Sequence, residues 1–217
     1  MSTPGSHDFE TVSSSTVYSG AILALRLDQV AMPGGRVVER EVIEHHGAVA
    51  VAALDDDGNI VLINQYRHPI GRRLLELPAG LLDQPGEDPL AAARRELAEE
   101  TGLAASEWSV LVDVALSPGF TDESLRIYLA TGLHETDRPE PELEEADLEI
   151  VRMPLDEAVD AALAGEIVNA TAVAGVLALA TARARGTALR AADAAWPGMP
   201  TAFLRRKARA ATAGGAE

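Results

Sequence analysis

Between Gly80 and Leu103 the chain reads GLLDQPGEDPLAAARRELAEETGL, which sets four glutamates, Glu87, Glu96, Glu99 and Glu100, around Arg95 and between two glycines. From Pro89 onward the pattern is helical: Leu90 and Leu97 lie seven apart, alanines fill the gaps, and Gly102 supplies a C-terminal stop. Glu96 and Glu100 then stand one turn apart on one face, with Glu99 also one turn from Glu96. Like charges at that separation oppose a helix by only about 0.2–0.5 kcal/mol per pair, so a plain solvated acidic helix is not excluded by energetics. Chemistry separates the two readings better. Hard divalent cations such as Mg2+ take oxygen ligands, usually one or two carboxylates with phosphate oxygens and water, and two carboxylates on one helical face suit that task.

The segment resembles the Nudix box, the signature of a family that hydrolyses a nucleoside diphosphate linked to another group. The box runs Gly, five residues, Glu, seven residues, Arg-Glu-apolar, one residue, Glu-Glu, one residue, Gly-apolar. Glu87, Arg95-Glu96-Leu97, Glu99-Glu100 and Gly102-Leu103 fall where it specifies, while six residues instead of five separate Gly80 from Glu87. Loops accept insertions more readily than helices, so the turn is expected to bulge and the helix to keep its ligands.

The remaining composition sets bounds. A length of 217 residues allows one good-sized core with additions. Absence of cysteine removes disulfides, thiolate zinc sites and a cysteine nucleophile, and fits a reducing cytoplasm. The polar start MSTPGSHDFETVSSST has no basic leader and no apolar core, so a signal peptide is not expected. The apolar tract 170–182 is too short for a bilayer. Eighteen Lys and Arg against 34 Asp and Glu give a formal charge of −16, which repels phosphate backbones; no nucleic-acid partner and no membrane are expected, and the location is read as cytoplasmic.

Along the chain, 1–15 reads as a mobile start. The β-rich runs 16–30 and 35–45 flank the turn Met32-Pro33-Gly34-Gly35 as an N-terminal hairpin or small sheet. Runs 48–54 and 60–66 bracket Asp55-Asp56-Asp57-Gly58-Asn59, a hairpin turn rather than a calcium loop, since no carboxylate closes it. Strands follow at 108–116, 125–132 and 148–153, then helices at 155–163 and 168–184. The basic run Arg205-Arg206-Lys207 reads as a solvated, frayed end. The expected fold is α/β: a sandwich with a mixed sheet and helices on both faces, plus the N-terminal antiparallel sheet, which is also what the Nudix resemblance implies. Four segments result: the start 1–15, the β element 16–46, the catalytic domain 47–185 and the tail 186–217.

The flanks choose the substrate. Ser117-Pro118-Gly119-Phe120-Thr121-Asp122-Glu123 puts Pro118 sixteen residues beyond Gly102, and with Gln65-Tyr66-Arg67-His68 and Leu75-Glu76-Leu77-Pro78-Ala79-Gly80 it is similar to the ADP-ribose pyrophosphatases within the family, closest to bacterial and particularly actinobacterial ones. The resemblance implies hydrolysis of ADP-ribose to AMP and ribose 5-phosphate. It implies Mg2+, with Mn2+ as a possible substitute, on Glu96, Glu100 and the carbonyl of Ala79, with Glu87, Arg95 and Glu99 in support. Arg67 would hold the diphosphate, and Glu76 is grouped with it toward substrate. Arg40 and Glu41 would lie near the adenine and Glu123 near the terminal ribose. The base would come from the loop RPEPELEEAD, among Glu140, Glu142, Glu144 and Glu145, with Glu145 selected and Glu144 next. A homodimer with exchanged N-terminal sheets is implied as well. Other readings are a broader nucleoside diphosphate sugar hydrolase and a noncatalytic ADP-ribose sensor. The intact glutamates and the lack of a basic helix-turn-helix argue against the sensor.

Overall fold

In this computed structural model residues 5–84, 86–138 and 147–214 are described, with side chains through Arg209. In chain order the strands and helices are β1 (Thr11–Ser19), β2 (Leu23–Ala31), β3 (Val37–His45), β4 (Ala48–Leu54), β5 (Asn59–Arg67), β6 (Arg72–Glu76), β7 (Ala79–Leu81), α1 (Pro89–Thr101), β8 (Leu103–Ala115), β9 (Ser124–Glu135), β10 (Glu149–Pro154), α2 (Leu155–Ala164), α3 (Ala170–Arg185), β11 (Arg190–Ala191) and α4 (Ala202–Gly214). They form two compact units. One comprises residues 1–47, 115–123 and 198–217, and the other comprises 48–114 and 124–197. No helix among the described residues is long and apolar enough to cross a membrane.

The first unit is built on an antiparallel sheet of order β1-β2-β3. The expected single run at 16–30 is therefore two strands, and residues 11–15, read as part of a mobile start, belong to β1. Every residue of β1 is exposed, so its serines need no inward apolar partner and the alternation that marks a half-buried strand never arises. The turn after β2 is the expected one: Met32 N–H donates to the Arg36 carbonyl at 2.7 Å, with Gly34 and Gly35 at φ 87° and 83°. The basic tail run lies on α4, anchored by the fully buried Phe203, whose ring meets His46 edge-on at 4.6 Å. Arg206 donates to both carboxylate oxygens of Glu44 at 2.7 and 2.9 Å, and Arg26 adds a third bond at 2.6 Å. Burial pushes Glu44 up, but these two guanidinium partners more than offset it and hold the group below the usual carboxylate range.

The second unit carries an eight-stranded mixed sheet of order β10-β5-β4-β9-β8-β11, with β6 added beside β5 and β7 beside β4. Strand β4, AVAVAAL, is buried at every residue, as a central strand covered on both faces requires. It runs parallel to β9 and antiparallel to β5 and β7. Helices α1 and α3 both pack on β4, and α2 packs on α3. The short strands β6 and β7 had no period of their own in the sequence. β8 starts directly after Gly102, at Leu103, rather than at residue 108. Arg126, only 2% exposed, ties the segment after α3 to this sheet: it chelates Asp113 at 2.7 and 3.1 Å and donates to the carbonyls of Ala194 and Ala195 at 2.6 and 3.0 Å. Its guanidinium also lies 4.9 Å from the centre of the Trp196 ring.

Burial raises the Asp113 carboxyl, but hydrogen bonds from Arg126 and Arg190 outweigh it and leave the group lowered. Its stabilisation is therefore present above the unfolded-state value near about 3.9 and is lost as pH falls through the lower folded-state value. Arg126→Met is expected to cost about 3–5 kcal/mol in urea unfolding at neutral pH, as removal of one partner from a buried ion pair does. The gap from the unsubstituted chain should narrow once Asp113 is protonated.

Candidate active site

The site grows from α1. Asp88 caps its N-terminus, accepting from the N–H groups of Leu90 at 2.9 Å and Ala91 at 3.3 Å, and Pro89 occupies the first turn, where its missing N–H costs nothing. Gly102 ends the helix at φ 69°, a left-handed conformation that glycine adopts without strain. The six residue loop between Gly80 and Glu87 leaves this helix intact.

The helix turns an unusual set of residues inward: Ala92, Ala93, Glu96, Leu97, Glu100 and Thr101. Glu96 is 8% exposed and Glu100 4%. Carboxylates are almost never so buried unless they are paired or bind a metal. The structure supplies partners. Arg95 chelates Glu87 with two bonds of 3.0 Å, donates to Glu96 at 2.6 Å and reaches Glu99 at 3.0 Å. Its hydrogen bonds to Glu87 come first among the causes that raise its pKa, desolvation opposing them, so it stays charged at any working pH. Glu100 accepts the backbone N–H of Ala79 at 2.8 Å. Gly80 faces Glu96 so closely that a Cβ there would fall 2.0 Å from its carboxyl carbon. A side chain at residue 80 would have to displace that carboxylate.

Arg67 ends β5 opposite Arg72 of β6, and its side chain reaches back along the strand pair to Glu76, which stands opposite Ile63. It donates Nε and Nη2 to the two Glu76 oxygens at 2.9 and 2.7 Å. Glu76 is 3% exposed and therefore orients the arginine from behind. Glu76, grouped in the sequence with the substrate contacts, pairs with Arg67 here.

Arg40, Glu41 and Glu123 belong to the other unit. Arg40 and Glu41 stand on β3 opposite Asp28 and Leu27, and Arg40 Nη1 donates to the Glu39 carbonyl at 3.0 Å. Pro118 and Glu123 lie in the loop 115–123, held to β3 where Ile43 N–H donates to the Phe120 carbonyl at 2.7 Å; Glu123 Oε1 is 3.8 Å from His45 Nδ1. His46 is 2% exposed and meets the Phe203 ring of α4 edge-on. The base candidates Glu140, Glu142, Glu144 and Glu145 lie outside the described residues.

The donor set fits a hard divalent cation: two carboxylates held on one buried face beside a backbone strand, with glycine leaving the space open. Among the described residues no three His, Cys, Asp or Glu side chains converge to hold a metal by themselves. Any such ion would complete its shell with backbone carbonyl, water and phosphate oxygens, the pattern typical of Mg2+.

Fold and site together define a mixed-sheet α/β protein with carboxylates buried on one helix beside the sheet. Residues 44–174 match the NUDIX domain, and 9–43 match the nucleoside diphosphate sugar hydrolase N-terminal domain. The chain belongs to the Nudix family. It is 57% identical over 202 residues to an ADP-ribose pyrophosphatase of Mycobacterium tuberculosis, covering 93% of this chain and 98% of that protein. An ADP-ribose pyrophosphatase of Bacillus subtilis is 34% identical over 161 residues, 74% of this chain and 86% of that one. The crystal structure of an ADP compounds hydrolase superposes with a TM-score of 0.69 at 23% identity, covering 84% of this chain and 98% of the other, and so shares the fold.

Gly80→Ala should displace the Glu96 carboxylate and cost roughly 1–3 kcal/mol in thermal or urea unfolding. Gly119→Ala, with no atom within 4 Å of the added Cβ, is the matched control and should stay within about 0.5 kcal/mol of the parent.

Proposed function

We propose that this chain hydrolyses the diphosphate of ADP-ribose to AMP and ribose 5-phosphate. The observation that carries the reading is its kinship, along nearly the whole length of both chains, with a protein named ADP-ribose pyrophosphatase. The site chemistry agrees with it. Glu96 and Glu100 through their carboxylates, and Ala79 through its carbonyl, would hold Mg2+, for which Mn2+ can substitute because both accept oxygen ligands. When bound, such an ion neutralises diphosphate charge and acidifies a water.

The protein's own groups do the rest. Arg95 gathers Glu87, Glu96 and Glu99, offsetting the repulsion of clustered carboxylates and holding Glu96 in place. Arg67, fixed by Glu76, presents a planar guanidinium to phosphate oxygens. Glu145, or Glu144 beside it, takes the proton from the water that attacks phosphorus. The new P–O bond forms as the bridging P–O bond breaks, and the leaving phosphate carries away the electron pair, so no covalent enzyme intermediate is required. Arg40 and Glu41 would contact the adenine and Glu123 the terminal ribose, within a homodimer. The segments 1–15, 16–46, 47–185 and 186–217 would serve as start, dimer element, catalytic domain and tail, and the cytoplasm as the place of action.

A second reading, a broader nucleoside diphosphate sugar hydrolase, is favoured by the match of residues 9–43 to the N-terminal domain of such enzymes. Assaying ADP-ribose beside ADP-glucose, GDP-mannose, NADH and 8-oxo-dGTP separates the two. The highest kcat/KM is expected for ADP-ribose, and loss of all turnover in EDTA. Equal efficiency across the panel would favour the broader enzyme. Glu96→Gln and Glu100→Gln are expected to lower kcat by roughly 100-fold or more with circular dichroism unchanged. Normal turnover in either variant at saturating Mg2+ would remove that residue from the metal set.

A further inference from the structure

The hairpin end that carries Arg67 gathers basic residues, Arg67, His68, Arg72 and Arg73, in a chain whose formal charge is −16. Strands β5 and β6 pair antiparallel, with Arg67 opposite Arg72, Gln65 opposite Leu74 and Ile63 opposite Glu76. Side chains alternate along a strand and opposite residues share a face, so Arg67, Arg72 and Glu76 all belong to one face of the pair. Tyr66 and Arg73 belong to the other, where Arg73 ion-pairs with Asp147 and donates to the Asn64 carbonyl at 3.2 Å. The 3-10 turn His68–Ile70 joins the strands, and Gly71 N–H closes it on the carbonyls of Arg67 at 2.9 Å and His68 at 3.1 Å. The two facing arginines thus rise from hydrogen-bonded backbone on both sides.

Opposite residues of an antiparallel pair have Cβ atoms about 4.5–5.5 Å apart, and like charges placed so oppose the pairing. Glu76 offsets only one of the two charges, because both its oxygens accept from Arg67, at 2.9 and 2.7 Å. Arg72 is exposed, and among the described residues its side chain has neither a hydrogen bond nor an ion pair. With 34 Asp and Glu in the chain, a carboxylate opposite Arg67 would have served the hairpin better than a second arginine. Stability of the hairpin is therefore a poor account of Arg72. An oxyanion bound between the two guanidiniums removes their repulsion and accepts charge-assisted bonds from both. From Glu76 the chain runs through Leu77 and Pro78 to Ala79, whose N–H donates to Glu100 at 2.8 Å, so the same strand leads directly to the buried carboxylates.

We infer that Arg72 is a second diphosphate-binding arginine, which forms with Arg67 a clamp on the substrate's two phosphoryl groups. The inference deepens the ADP-ribose reading above and rests on it. The two phosphoryl groups of a diphosphate share one bridging oxygen, so their oxyanions lie side by side, as the two arginines do. Arg67 is held in one orientation by Glu76, while the fork of Arg72 is left for the ligand. Contacts of this kind are made to the ground state as well as to the transition state, so their loss falls on KM more than on kcat.

The test measures turnover of ADP-ribose in Mg2+ and thermal unfolding for the full chain and for Arg72→Ala and Arg72→Lys. Arg185→Ala, which removes one exposed positive charge from the last turn of α3 in the same unit, is the control. Arg72→Ala is expected to raise KM by about tenfold with kcat within about threefold of the parent. Its Tm should equal or exceed that of the parent, because a like-charged pair has been removed. Arg72→Lys should recover only part of the affinity, since it keeps the charge and loses the planar fork. Arg185→Ala should match the parent in KM. An unchanged KM in Arg72→Ala would overturn the inference, and so would an equal rise in Arg185→Ala, which would mark a general effect of charge. A lowered Tm with KM unchanged would assign Arg72 to the fold and overturn it as well. A parent chain that releases no AMP from ADP-ribose would overturn the ADP-ribose reading and this inference together, whereas an active parent with unchanged KM in Arg72→Ala would overturn the inference alone.

Discussion

Two carboxylates turned toward the core side of a helix are the constraint to which the second unit answers. Glu96 and Glu100 occupy positions on α1 that an ordinary amphipathic helix would fill with leucine, beside Ala93 and Leu97. Such burial of charge is costly without compensation, and the compensation accounts for much of the neighbouring sequence. Arg95 supplies positive charge along the helix, Ala79 N–H supplies a donor from β7, and Gly80 gives up its side chain so that Glu96 has room. The capping of α1 by Asp88 and Gly102 fixes where these residues fall along the helix. Oxygen donors gathered on one buried helical face are suited to a divalent cation and an anionic diphosphate together.

The same logic explains why the arginine of the neighbouring strand pair is built as it is. A lone guanidinium at the end of β5 would sweep through many rotamers; chelation by the buried Glu76 leaves it one orientation. On the function proposed above, this would divide the work between a helix that holds the metal and a strand pair that binds phosphate.

How much was legible in the sequence follows from how each feature is encoded. The α1 spacing was readable because Arg95, Glu96, Glu99 and Glu100 lie within two turns of one helix that Gly102 caps, where sequence distance maps directly onto geometry. The mixed α/β sheet was readable from the apolar runs of β4 and β5. What was lost was short, exposed or distant in sequence. β1 shows no alternation because neither of its faces is buried, and β6 and β7 are too short to have a period. The anchoring of α4 rests on Phe203 and on the long-range bond from Arg206 to Glu44, which no local pattern announces. The pairing of Glu76 with Arg67, nine residues apart and on neighbouring strands, is visible only in the folded chain. The ties from Arg138 to Glu99 and from Arg73 to Asp147 cross 39 and 74 residues and are visible only once the chain is folded.

The central claim, that the buried carboxylates of α1 exist to hold a divalent cation, can be tested without reference to turnover. Mn2+ bound to the parent chain and to a Glu96→Gln, Glu100→Gln double variant can be quantified by electron paramagnetic resonance, with circular dichroism confirming equal folding. The account predicts saturable Mn2+ binding by the parent, displaced by Mg2+, and its loss in the double variant. Undiminished binding in the folded double variant would contradict it and leave the buried glutamates without the function assigned to them.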